Sequence, residues 1–126
     1  MKFGQLHHIE YYVRDLDQAK IFWGWLLPLS GYEEYQKWDG GISWRHETGT
    51  YICFVQLSEA SKLIQNDRQG NGLNHIAFMG KDRVHLKLLV EELQRRQIKI
   101  FASRPDYVWF EDSNGLAAEI YLSDSP

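Results

Sequence analysis

Polar and apolar residues alternate along "LHHIEYYV", residues 6–13, as they do in a half-buried strand, and no turn residue interrupts the stretch. From Asp15 the period lengthens. Leu16, Ala19, Trp23, Leu26 and Leu27 recur at helical spacing; Asp15 is placed to cap, Gln18 stands three residues on as in a capping box, and Pro28 with Gly31 closes the run. Three strand-like segments follow, "GYEEYQKW", "ISWRH" and "TYICFVQL", separated by Asp39-Gly40-Gly41 and by Thr48-Gly49, both good hairpin punctuation. The predicted unit is β-α-β-β-β.

The order then repeats. A polar connector over residues 58–71 leads into "LNHIAFM" at 73–79, which repeats the Leu-x-His-Ile of the first strand and sets His75 67 residues after His8. "KDRVHLKLLVEELQRRQ" predicts an amphipathic helix with Val84, Leu88 or Leu89, and Leu93 facing inward, and with Arg95 and Arg96 in the last turn, where cations suit the helix dipole. After it, "IKIFA", "DYVWF" and "LAAEIYL" read as strands, the last two joined by a hairpin at Asn114-Gly115. The expectation is an α+β domain over residues 1–126: a first unit at 1–57, the connector, and a second unit at 72–126.

Composition narrows the function classes. With 126 residues, 44% hydrophobic and 25% charged, the chain has the size and balance of one globular domain. A net charge of -3 offers no general attraction to phosphate backbones or anionic lipid, so neither nucleic acid nor a membrane is an expected partner. The longest apolar run, "IFWGWLLPL", is far short of a bilayer span, and "MKFGQLHH" lacks the apolar core of a signal peptide, so a cytoplasmic location is expected. The lone Cys53 has no partner for a disulfide within the chain and reads as a small buried hydrophobe rather than a nucleophile.

Strand parity sorts the polar residues. Ile9, Tyr11 and Val13 should cover the first helix, leaving His8, Glu10 and Tyr12 on the other face and His7 on the helix side. In the second unit Ile76 and Phe78 pack under the helix, while Ala118, Ile120 and Leu122 form the packed row of the last strand. His75 and Glu119 are thereby left on the open side, Glu119 flanked by Ala117 and Tyr121. If the two open faces curve around one cavity, they bring two imidazoles and one carboxylate to it, a ligand set that leaves coordination positions on a cation open for water or substrate. His46 and His85 have no counterpart in this pattern and read as surface residues.

The doubled β-α-β-β-β order, the paired starts "LHHIEYYVRDLDQAKIFW" and "LNHIAFMGKDRVHLKLL", and the ending "FEDSNGLAAEIYL" resemble the vicinal oxygen chelate superfamily, which holds glyoxalase I, extradiol dioxygenases, fosfomycin-resistance thiol transferases and bleomycin-resistance proteins. The resemblance spans nearly the whole chain and implies two concave mixed sheets forming a cup-shaped site, the glyoxalase-like fold. It implies a divalent metal held by His8, His75 and Glu119, with Fe, Mn, Ni, Co and Zn all suited to imidazole and carboxylate. A fourth ligand in some members lies in the last strand of the first unit; the nearest polar residue is Gln56, although the strand can also be aligned with Cys53 or Phe54 in that slot.

The chemistry so implied is chelation of two neighbouring oxygens of a small substrate, with Glu119 as ligand and candidate catalytic proton carrier. Glu10 is a candidate second base or a rim carboxylate. Tyr12, Phe54 and Tyr121 are candidate cavity walls or ordinary core. The expected function is a metal-dependent enzyme, a glyoxalase-like lyase or isomerase or a dioxygenase. The alternatives are a metal-free protein of the bleomycin-resistance kind that sequesters a small molecule between aromatic walls, and a regulatory or structural module. Relatives of this length commonly pair, so a homodimer is expected.

Overall fold

The computed structural model describes residues 2–63 and 70–122, so residues 64–69 of the expected connector lie outside the described residues. The first unit runs β1 (His8–Val13), α1 (Leu16–Leu29), β2 (Tyr32–Trp38), β3 (Gly41–His46) and β4 (Tyr51–Gln56), followed by a short 3-10 turn at Ala60–Leu63. The second runs β5 (Ile76–Met79), α2 (Arg83–Arg95), β6 (Lys99–Arg104), β7 (Tyr107–Glu111) and β8 (Ala117–Tyr121). Each unit has one four-stranded mixed sheet, ordered β1-β4-β3-β2 in the first and β5-β8-β7-β6 in the second. In both, the strand before the helix pairs parallel with the last strand and the other pairings are antiparallel. The division between the compact units, Met1–Ile64 and Gln65–Pro126, falls in the connector.

Helix α1 starts where its sequence allows: the Asp15 carboxylate accepts the Gln18 backbone N–H at 3.1 Å. The predicted inward stripe of Leu16, Ala19, Trp23, Leu26 and Leu27 is buried in full. Trp23 stacks on Phe54 with ring centroids 5.6 Å apart, and Tyr11 and Trp44 close around the same ring. Pro28 does not end the helix as expected; it lies inside the final turn. The break comes at Gly31, whose φ of +90° suits a residue without a Cβ.

Helix α2 corrects the predicted face. Leu86, Leu89 and Leu93 are buried, whereas Val84 is 72% and Leu88 59% exposed. Val84 and Leu88, four residues apart, share the solvent side of a helix whose buried stripe runs through Leu86, Leu89 and Leu93. The floor beneath is built by Val108, Phe110, Ala118 and Ile120, all essentially inaccessible. At the β7–β8 hairpin the buried Asp112 carboxylate accepts the N–H groups of Asn114 and Leu116, each at 2.8 Å, and Gly115 supplies the left-handed residue at φ +86°. Among the described residues no helix is long and apolar enough to cross a membrane.

Candidate metal centre

In the second unit the parallel register sets Ala77 beside Glu119, so Glu119 points away from the row of Ala118 and Ile120 that carries α2. Burial to 6% exposure costs a carboxylate its hydration and demands partners. His75, immediately before β5, supplies one: its Nε2 lies against Glu119 Oε1. The other ring nitrogen, Nδ1, is 2.7 Å from Asn74 Oδ1, an acceptor, so Nδ1 carries the proton of that hydrogen bond.

Further residues on this face escaped the sequence analysis. Trp109 stands directly across from Glu119 in the β7–β8 register, with its ring beside that of His75. Tyr107, two residues earlier on β7, is buried, and burial first, then its hydrogen bond to Glu119, pushes its phenol well above the ordinary tyrosine range. Tyr121, expected on the cavity wall, packs against Tyr107 with centroids 4.6 Å apart and the ring planes tilted by 47°. Parity had put Glu119 and Tyr121 on one face, but no residue pattern gives the antiparallel register that selects Trp109 and Tyr107 as their neighbours. Asn74 was within reach, since it adjoins His75 in sequence.

In the first unit His8 opens β1 and is paired with Tyr51, on whose ring it stacks at 4.7 Å with the planes 7° apart. His7 was expected on the helix side. Parity does not govern it, because the strand begins only at His8, and its Nδ1 sits 2.9 Å from His8 Nδ1. One of these nitrogens donates to the other, which holds the His8 ring by Nδ1 and leaves its Nε2 outside the bond.

Glu10 and Tyr12 share the His8 face and are exposed. Glu10 is registered against Cys53, which occupies on β4 the place that Glu119 holds on β8. Burial first, then the charge and hydrogen bonding of Glu10, pushes the Cys53 thiol up to about 11, so at neutral pH it is a protonated donor and not a nucleophile.

Two expected site residues lie on the other face. Phe54 is fully buried against Trp23 and is core, not cavity wall, because it shares the parity of Ile52 and faces α1. Gln56 has the same parity. Its Oε1 accepts the Leu16 N–H at 2.9 Å and its Nε2 donates to the Arg14 carbonyl at 2.7 Å, so the amide clamps the β1–α1 corner and its oxygen is committed to the backbone. Among the described residues, no three His, Cys, Asp or Glu side chains cluster within one unit.

Comparison with known proteins agrees with this fold. A family model described as the Glyoxalase/Bleomycin resistance protein/Dioxygenase superfamily matches residues 7–113. The chain belongs to this superfamily. It is similar to the Bacillus subtilis protein YqjT, itself uncharacterised, with 39% identity over 95 residues, 75% of this chain and 73% of that one. A candidate glyoxalase from Bacillus halodurans superposes with a TM-score of 0.87 at 36% identity, covering 95% of this chain and 96% of the other. The fold is also that of a fosfomycin resistance protein variant from Listeria monocytogenes, with a TM-score of 0.66, 20% identity, and 95% and 90% of the two chains covered. That protein was crystallised with Mn(II) and 1S,2S-dihydroxypropylphosphonic acid.

Proposed function

We propose that the protein is a divalent-metal-dependent enzyme acting on a small molecule with two adjacent oxygen atoms, of the glyoxalase-like lyase or isomerase type or the dioxygenase type. The reading rests on one observation. His75 Nε2 lies against the buried Glu119 carboxylate while Nδ1 is held by Asn74 Oδ1, so the fold brings one oriented imidazole nitrogen and one carboxylate together. Imidazole with carboxylate is a donor set suited to a divalent first-row metal. His75 and Glu119 fit the group that the superfamily uses, and His8, at the matching position of the Leu-x-His-Ile repeat, is our candidate for a third ligand. Gln56 stands outside the proposed set, since its oxygen already accepts a backbone N–H.

When bound, the metal would supply positive charge to the negative charge that develops on the substrate's oxygens. The chain's own residues have separate tasks. Asn74 fixes the tautomer and rotation of His75, and His7 does the same for His8. Glu119 limits the net charge of the site, and its burial keeps water from its free lone pairs. Tyr107 holds the Glu119 carboxylate by hydrogen bonding. Glu10, exposed on the His8 face, is positioned as a proton carrier, with the Cys53 thiol as its hydrogen-bond partner.

The test is metal analysis of protein purified without a metal-affinity tag, followed by assay after loading with Fe(II), Mn(II), Ni(II) or Zn(II). The substrates are α-ketoaldehyde thiol adducts, catechols, and fosfomycin with thiols. Bound metal and turnover of one class, both lost in Glu119→Ala, are expected. Tight ligand binding that survives chelation, without turnover under any metal, would establish a sequestering protein instead.

A further inference from the structure

The indole Nε1 of Trp109 is buried and has no hydrogen-bond partner, alone in this among the buried side-chain nitrogens and oxygens of the described residues. The residue as a whole is partly exposed. It stands on the open face of the second sheet, across from Glu119 in the β7–β8 register, with its ring 6.4 Å from that of His75, centroid to centroid. The unpaired donor therefore belongs to the face that carries the candidate metal ligands.

Packing accounts for the ring and not for its N–H. On the β6 side Phe101 lies against Trp109 with centroids 4.7 Å apart. The β6–β7 register shifts between Ile100 and Ala102, so Phe101 is the extra residue of a bulge on a strand at the sheet edge, and a bulge re-aims the side chain it carries. Phe101 and Trp109 thus form an aromatic wall beside His75. A phenylalanine at position 109 would complete that wall with no polar atom, whereas the indole adds a donor that has given up its hydration without gaining an acceptor. Such a group calls for a partner, and the partner that fits is an oxygen brought by a ligand. Shielded from water, the bond so formed is stronger than the same bond in solution.

We propose that Trp109 orients the substrate beside His75 and Glu119: its Nε1–H donates to an oxygen of the ligand, and the Phe101–Trp109 wall takes a planar apolar group next to that oxygen. Nε1 is reached when the Phe101 ring gives way, which a bulged residue on a strand paired on one side only permits. This role rests on the metal-dependent function proposed above and adds the ligand class to it, an oxygen acceptor joined to a planar apolar body.

The experiment follows the Trp109 indole N–H of the intact ¹⁵N-labelled, Zn(II)-loaded protein during titration with benzohydroxamic acid and with acetohydroxamic acid. The signal is identified by its absence from Trp109→Phe. The two probes share one oxygen-chelating group and differ in the planar ring. The expected result is a saturable downfield shift of the Trp109 signal with either probe, and benzohydroxamic acid binding about tenfold or more tighter, by the apolar area it buries. Trp109→Phe should keep its Zn(II) affinity and bind both probes about tenfold or more weaker, since a donor to a charged oxygen is lost. Phe101→Ala should lose the preference for the ring-bearing probe. Zn(II) bound with a Trp109 signal that neither probe moves up to about 10 mM, a ceiling for weak specific binding, or a Trp109→Phe affinity for the probes equal to the parent's, would overturn the proposal. Equal affinity of the parent for the two probes would overturn the planar ligand class. Failure of the parent to bind Zn(II) would instead overturn the metal-dependent function, and the role of Trp109 with it.

Discussion

The His75 imidazole lies against the Glu119 carboxylate through Nε2 and Oε1, while its Nδ1 is held by Asn74 Oδ1 at 2.7 Å. The arrangement leaves one imidazole nitrogen and one buried carboxylate facing a common point. Metal bound there should be lost in His75→Ala and in Glu119→Ala. Asn74→Ala, which frees the ring without removing a ligand, should weaken metal affinity by about 10- to 100-fold, the usual cost of losing the partner that orients a ligand. Calorimetric titration with Mn(II) or Zn(II) measures all three. An Asn74→Ala affinity equal to the parent's would refute the orienting role. Since binding displaces protons from the ligands, affinity should also fall as the solution is acidified.

Phe54 and Gln56 both face the helix side, and each predicts a loss of stability rather than of metal. Phe54→Ala empties the space among Trp23, Tyr11 and Trp44 and should cost about 3–5 kcal/mol in denaturant unfolding. Gln56→Ala leaves the Leu16 N–H and Arg14 carbonyl unclamped and should cost about 1–3 kcal/mol, with bound metal unchanged. A Gln56→Ala protein that folds normally and loses metal would restore Gln56 to the ligand set.

Cys53 gives a pH-dependent readout. Its thiol is raised from the ordinary 9.0 to about 11, so the folded state holds the thiol proton more tightly than the unfolded state does. This contribution to stability is fully present below pH 9.0 and is lost as the pH rises toward about 11. The parent's Tm should accordingly fall more steeply than that of Cys53→Ala across that window, the other alkaline titrations being common to both. Iodoacetamide should modify native Cys53 far more slowly than an exposed thiol at pH 8. Rapid modification of the folded protein would contradict the assigned burial and proton affinity.

A homodimer is expected from the sheet edges. In the order β1-β4-β3-β2 the strands β1 and β2 each have one side unpaired within their unit, as do β5 and β6 in the other sheet. Such edges template pairing with another chain unless they are covered. Sedimentation equilibrium at micromolar concentration should give twice the chain mass of 14.9 kDa. A single species at 14.9 kDa would exclude the dimer.

The sequence by itself determined what depends on local period. Alternation separated Ile9, Tyr11 and Val13 from His8, Glu10 and Tyr12, and the 3.6-residue period put Trp23 and Leu26 inward, because both follow from the direction in which successive Cβ atoms leave the backbone. The repeat of Leu-x-His-Ile then marked His8 and His75, and parity in the last strand added Glu119. Tertiary structure decided what depends on pairing between distant segments. No local pattern states that Glu10 sits across from Cys53, that Trp109 sits across from Glu119, or that β1 starts late enough to release His7 from strand parity. These are set by register, and register is a property of two strands and the turns that join them. Gln56 shows the same division: a polar residue at the end of a strand reads as a ligand until the β1–α1 corner arrives beside it with an N–H and a carbonyl to satisfy.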